Sequence, residues 1–194
     1  MDRYINEYLD GLGQVINKLN LKDIKKTIKL LSELRERNGR LFLLGVGGAA
    51  ANCSHAVNDF RKIAHIETYT PVDNVSELLA RINDDGWESV FNSWLKLSKL
   101  SKKDAVMVLS VGGGDIEKGI SVNIVRALEY AKEKGATILG IVSRDGGYTK
   151  KVADACILVP VMNDELITAY AESLQAIIWH LLVFSPKLRK IKPY

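Results

Sequence analysis

A length of 194 residues allows one domain with a substantial core, and 47% hydrophobic with 26% charged residues excludes a disordered or fibrous chain. The formal charge of +4 is too mild and scattered for a nucleic-acid surface, and the basic run from Lys187 to Lys192 reads as a solvated tail. No apolar run approaches the ~20 residues of a bilayer span; the first residues lack a signal peptide's basic-then-apolar order, and Cys53 and Cys156 show no metal spacing, so a cytoplasmic protein with reduced thiols is expected.

Tyr4 to Leu19 and Leu21 to Arg37 carry apolar residues at helical spacing; in the second, Ile24, Ile28, Leu31 and Leu34 mark one face. This N-terminal helical hairpin (residues 1–38) reads as an oligomer contact, although packing within the chain accounts for it too. Strand and helix then alternate through residues 39–186. Arg40 to Leu44 reads as a strand, Ala50 to Ile63 as a helix and Ile66 to Tyr69 as a short strand. Val75 to Ile82 and Trp87 to Leu97 read as helices, Ala105 to Ser110 as a central buried strand, and Val122 to Lys134 as a helix. Thr137 to Val142 is a strand, Gly146 to Val152 a short helix and Cys156 to Val159 the last strand. Asp164 to Val183 is a long helix stopped near Pro186, before the basic tail of residues 187–194. The pattern predicts an α/β fold: a three-layer sandwich with a five-stranded parallel sheet flanked by helices and joined by right-handed crossovers.

Two glycine-rich loops each follow a strand: Gly45-Val46-Gly47-Gly48 and Gly112-Gly113-Gly114. In an open α/β sheet, ligands bind at these carboxyl ends. Glycine allows close backbone approach, and a following helix N-terminus favours an anion. No GxGxxG, P-loop lysine or nucleophile elbow is present.

His55 and Asp59 lie four apart and share one helix face, the spacing of a divalent-metal pair, of an acid/base pair, or of a plain surface hydrogen bond. Glu172 and His180 are eight apart, about 12 Å of rise and roughly 80° of turn. Three explanations would reconcile them with one ion: the helix is distorted, only one residue is a ligand, or the two serve different sites in an oligomer. In Asn83-Asp84-Asp85-Gly86, Asp85 reads as a helix N-cap, while Asn83 or Asp84 is placed to bond a polyol. Arg144-Asp145-Gly146-Gly147 is mainly a turn signal.

The order and spacing of these features resemble the sugar isomerase (SIS) domain, most closely the phosphoheptose (sedoheptulose 7-phosphate) isomerases, over nearly the whole chain. The resemblance implies a flavodoxin-like fold, a homotetramer and an aldose-ketose isomerase. Its reaction would convert sedoheptulose 7-phosphate to D-glycero-heptose 7-phosphate in surface-polysaccharide heptose synthesis. A zinc ion (Zn2+) is implied at an intersubunit site of His55, Asp59, Glu172 and His180, with Asp59 as base and His180 as acid. The sugar phosphate would lie against Gly47, Gly48, Ala49, Asn83, Asp84, Ser110, Gly112, Gly113, Asp115 and Ser121, and neither nucleic acid nor membrane is an expected partner. The chain departs from the family pattern in four places. Asp59 stands for glutamate and Glu172 for glutamine. Val46 and Ala49 alter the first loop, and Ser110-Val111-Gly112-Gly113-Gly114-Asp115 replaces a hydroxyl-rich second loop. Several hydroxyl donors are lost and a carboxylate is gained, which is repulsive to phosphate unless a cation intervenes. A non-catalytic, regulatory sugar-phosphate-binding protein and an isomerase of a different sugar derivative are the alternative readings.

Overall fold

Strands β1 (Leu41–Leu44), β2 (Thr68–Tyr69), β3 (Ala105–Ser110), β4 (Thr137–Val142) and β5 (Ala155–Leu158) form one sheet in the order β2-β1-β3-β4-β5. All four pairings are parallel. The computed structural model describes residues 1–191. Helices α1 (Asp2–Asn17), α2 (Leu21–Glu36), α3 (Gly48–Lys62) and α8 (Ile167–Val183) supply one core, and α4 (Val75–Asp85), α5 (Val90–Leu97), α6 (Val122–Glu133) and α7 (Gly147–Val152) the other.

Strand alternation divides the two layers. Leu41, Leu43, Met107, Leu109, Leu139 and Ile141 point to the first core; Phe42, Leu44, Val106, Val108, Ile138 and Val142 point to the second. β1 and β3 are therefore apolar at every position but Ser110, as strands covered on both faces must be. Each such fully buried side chain contributes about 1.5–3 kcal/mol. The order places a switch point between β1 and β3, because the chain leaves β1 towards β2 and returns past it to β3. The two glycine loops flank that crevice.

The expected sheet and three layers are present, and β3 and β4 have the expected limits. Several local readings are corrected. α4 runs on through Asn83, Asp84 and Asp85 and stops at Gly86, whose φ of +80 ends the helix. Asp85 is thus no N-cap: α5 begins at Val90 behind Ser89, and Trp87 lies outside it. A 3-10 turn (Asp164–Leu166), capped by the Asn163 side chain, precedes α8. By length and composition Asp164–Val183 is apolar enough to cross a membrane, contrary to the sequence reading, but half of it is buried as a core helix. The basic run is not simply solvated, since Leu188 is fully buried and Arg35 donates to the Lys187 and Leu188 carbonyls. Lys192, the end of that run, lies outside the described residues.

The N-terminal hairpin packs within the chain. Val15 is fully buried, Tyr8 meets Tyr170 edge-on, and the Tyr170 hydroxyl donates to the Tyr8 carbonyl. Tyr4, Ile5 and Leu9 on α1 nonetheless stay exposed. Cys53 and Cys156 are both free thiols; burial pushes Cys156 up to about 11.

Candidate active site

α3 and α8 lie side by side on one face of the sheet and are locked by polar side chains. Asn52 donates to the Glu172 carbonyl (3.0 Å) and to Gln175 Oε1 (2.8 Å). Further along, Trp179 Nε1 donates to Asp59 Oδ2 at 2.9 Å, and Asn58 donates to Asp59 Oδ1 at 3.0 Å. Asp59 is only 6% exposed, and a buried carboxylate requires partners of this kind. Two more stand beside it, His180 Nε2 at 3.2 Å and His55 Nε2 at 3.4 Å from Oδ2. The His55 ring also sits edge-on to Trp179 and His180.

This donor set fits a divalent metal. The ligand atoms of His55, Asp59 and His180 lie within 4.8 Å of one another. A tetrahedral zinc ion at about 2.0–2.1 Å from each ligand holds its ligands about 3.3 Å apart, the separation seen here between carboxylate and imidazoles. Trp179 then orients the ligating carboxylate from the outer shell. Both imidazoles are partly exposed, so an ion can enter.

Glu172 does not join this group. Its carboxylate lies against Gly48, at the start of α3, where a Cβ would collide with both carboxylate oxygens. α8 is one continuous helix, so distortion does not bring Glu172 to His180. Of the three explanations, the single ligand and the shared oligomeric site remain.

The loops after β1, β3 and β4 enclose a cavity of about 440 Å³. Ser110, Gly112, Asp115 and Ser121 line it, as do Val46, Lys118, Arg144 and Thr168. Ser121 (φ 49) and Arg144 (φ 54) both adopt the left-handed backbone region, at about 1–3 kcal/mol each. Ser121 precedes α6 without capping it, so its hydroxyl is left for a ligand. Among the described residues no hydrogen bond or ion pair engages the Arg144 guanidinium. Asp115 is not a bare negative charge. The main-chain N–H of Lys118 and its ammonium, 3.2 Å away, hold the Asp115 carboxyl below the usual range. The insertion itself is a small hairpin closed by paired hydrogen bonds between Asp115 and Ile120.

The other expected contacts are placed as follows. Gly113 packs against the backbone of Gly146, and its carbonyl accepts from both Thr149 N–H and Oγ1. Gly47 (φ 65) turns the chain into α3, and Ala49 is buried beneath it. Asn83 and Asp84 are exposed, bond each other and do not line the cavity. A hollow of equal volume around Trp87 and Arg126 is lined by no residue of either glycine loop. Sequence reasoning missed Trp179, Lys118, Thr168 and Arg144. The position of Arg144 after a parallel strand was the available signal for that residue.

A family model described as the SIS domain matches residues 3–143. Phosphoheptose isomerase of Helicobacter pylori (strain P12) is 30% identical over 142 residues, 71% of this chain and 70% of that protein. The lincomycin biosynthesis protein LmbN of Streptomyces lincolnensis is 28% identical over 79% of this chain, which spans only 58% of LmbN. Among solved structures, phosphoheptose isomerase GmhA from Neisseria gonorrhoeae superposes with a TM-score of 0.79. The match covers 94% of this chain and 95% of that one at 20% identity, a likeness of fold.

Proposed function

Because this chain belongs to the SIS domain family, we propose that it is an aldose-ketose isomerase of sugar phosphates, acting on sedoheptulose 7-phosphate. The observation that carries the reading is the pairing of an anion cavity at the sheet's switch point with a His-Asp-His metal set on the adjoining helices.

The phosphate would enter the cavity. Arg144 offers charge beside the Lys118–Asp115 ion pair, and Ser110 and Ser121 offer hydroxyls. The α6 N-terminus adds a favourable dipole. Arg144 compensates for the hydroxyls that the second loop lacks. His55, Asp59 and His180 would hold a divalent ion such as zinc, which polarises the sugar carbonyl when bound. Trp179 and Asn58 fix the Asp59 oxygens so that the carboxylate need not reorganise.

Reach argues for a site completed by a second copy of the chain. An extended chain advances about 1.2 Å per bond, so C2 of a heptose 7-phosphate lies about 8 Å from its phosphorus. Thr168, at the cavity, and His180 are twelve residues apart, about 18 Å of helix rise. One protomer's cavity therefore works with its partner's metal set. The surface suits such a contact: Ile177 and Leu181 on α8 and Phe184 at its C-cap form an exposed stripe beside His180.

Incubating the zinc-loaded protein with sedoheptulose 7-phosphate and following the sugar by NMR tests the reading. Conversion that stops on chelation is expected. Binding of the sugar phosphate, seen as a thermal shift, without conversion would overturn it in favour of a regulatory binding protein.

A further inference from the structure

The hairpin inserted after β3 brings a lysine to the anion cavity. Asp115 and Ile120 exchange main-chain hydrogen bonds at 2.8 Å, and Gly119 (φ 65) closes the turn between them by donating to the Ile116 carbonyl. Within that turn the Lys118 N–H donates to Asp115 Oδ1 at 3.1 Å. The main chain of Lys118 is thereby fixed, and its side chain lines the cavity together with Arg144 from the loop after β4.

The side-chain charges around this cavity do not favour an anion by sum alone. The lining carries two cations, Arg144 and Lys118, and two carboxylates, Asp115 and Asp145. A phosphate monoester brings a charge of roughly −2 at neutral pH. A carboxylate placed like Asp115 repels it unless a cation stands between them. Lys118 is placed to be that cation. Its ammonium lies 3.2 Å from Asp115 Oδ2, and its side chain is 72% exposed, open to a ligand. An ammonium carries three N–H donors, and among the described residues Asp115 is the only side chain that engages this one. The other donors are free for phosphate oxygens, which charge-assisted hydrogen bonds hold well. The carboxylate meanwhile braces a side chain that is otherwise flexible along its four-carbon stem.

We propose that Lys118 is a specificity-determining residue of this site: its ammonium bridges Asp115 to the substrate phosphate, and so makes a cavity of balanced charge accept a phosphomonoester. The identity of the ligand rests on the isomerase reading above. Arg144 and Lys118 then grip the phosphate from two different loops. The reacting carbons lie beyond both, towards the metal set, so the pair acts on binding and not on the chemical step.

The test is a set of four zinc-loaded proteins: wild type, Lys118→Met, Asp115→Asn and the double variant. Each is titrated with inorganic phosphate in a calorimeter and assayed for KM and kcat with sedoheptulose 7-phosphate. With Asp115 present, Lys118→Met is expected to weaken phosphate binding and raise KM about 30-fold, because a cation is lost and a bare carboxylate is left facing the anion. In the Asp115→Asn background the same change should cost only about fivefold, because that carboxylate is gone. kcat, bound zinc and Tm should stay near wild type throughout, which a merely structural role for the hairpin does not predict. An equal cost in both backgrounds would overturn the proposal, leaving Lys118 an ordinary surface charge. Wild-type phosphate affinity in Lys118→Met, or a wild type that takes up no phosphate, would overturn it too. A wild type that shows this binding pattern yet turns over no sugar phosphate would sink the isomerase reading alone.

Discussion

The carboxylate of Asp59 is met by an indole N–H, an amide and two imidazoles before any ligand arrives, whereas the guanidinium of Arg144 faces its cavity with no described partner. The first region projects from two regular helices whose packing sets the distances. The second is assembled from three loops, two of whose residues sit in strained backbone. Helices hold side chains to the tenths of an ångström that a metal requires; loops bring charge and backbone N–H groups around an anion, which tolerates looser geometry. The two regions should therefore fail differently when altered.

The largest effect is expected from His180→Ala, which removes a metal ligand. Bound zinc should be lost and turnover should drop about 1,000-fold, while phosphate binding to the cavity stays intact. Metal analysis beside a rate assay checks this, and normal zinc content would break the comparison. Trp179→Phe keeps an aromatic ring at this position but deletes the N–H to Asp59. Zinc affinity should weaken about 10–100-fold, read by competition with a chelator.

Arg144→Ala touches only the second region. KM for the sugar phosphate should rise about tenfold, near 1.4 kcal/mol, with kcat and zinc unchanged. A weaker salt dependence should accompany it, since a charge contact has gone. The smallest effect on either region is expected at the opposite end of the sheet. There Asp104 accepts from the Arg40 side chain and main chain and from Ser101. Burial alone would raise its pKa, but the Arg40 and Ser101 donors hold it below the usual range. Its contribution to stability is thus present above about pH 4 and lost as the pH falls through the folded-state pKa. Asp104→Asn should cost about 1–3 kcal/mol near neutral pH, flatten the acid fall of Tm and leave zinc and sugar-phosphate binding untouched.

How legible each part was follows from the kind of signal it left. β3 and β4 stood out because five residues in a row without a polar side chain, Ala105 to Leu109 and Ile138 to Val142, bounded by turn residues, have few other uses. The end of α4 did not, because Asn83, Asp84 and Asp85 lie on an exposed last turn and look like loop until Gly86 stops the helix. His55 and Asp59 were visible as a helical pair, and His180 through family resemblance. Trp179 was not visible, because an indole that reaches across to another helix leaves no periodic trace. Arg144 was hidden inside a turn motif whose backbone role was read in place of its side chain. Gly113 looked open to a ligand, yet its missing Cβ admits the Gly146 backbone. Such a contact joins loops more than 30 residues apart, which spacing alone does not reveal.

Whether the two regions belong to one site shared between protomers is tested most directly by mixing two defective proteins. His180→Ala lacks the metal half. Gly112→Asp places a repelling carboxylate in the cavity at a position with room for a Cβ. Each alone should convert almost no sedoheptulose 7-phosphate. Unfolded and refolded together in equal amounts with zinc, they should regain up to about one quarter of wild-type turnover, the share of random pairings that join an intact metal half to an intact cavity. A mixture as inactive as its parts would contradict a site shared between protomers.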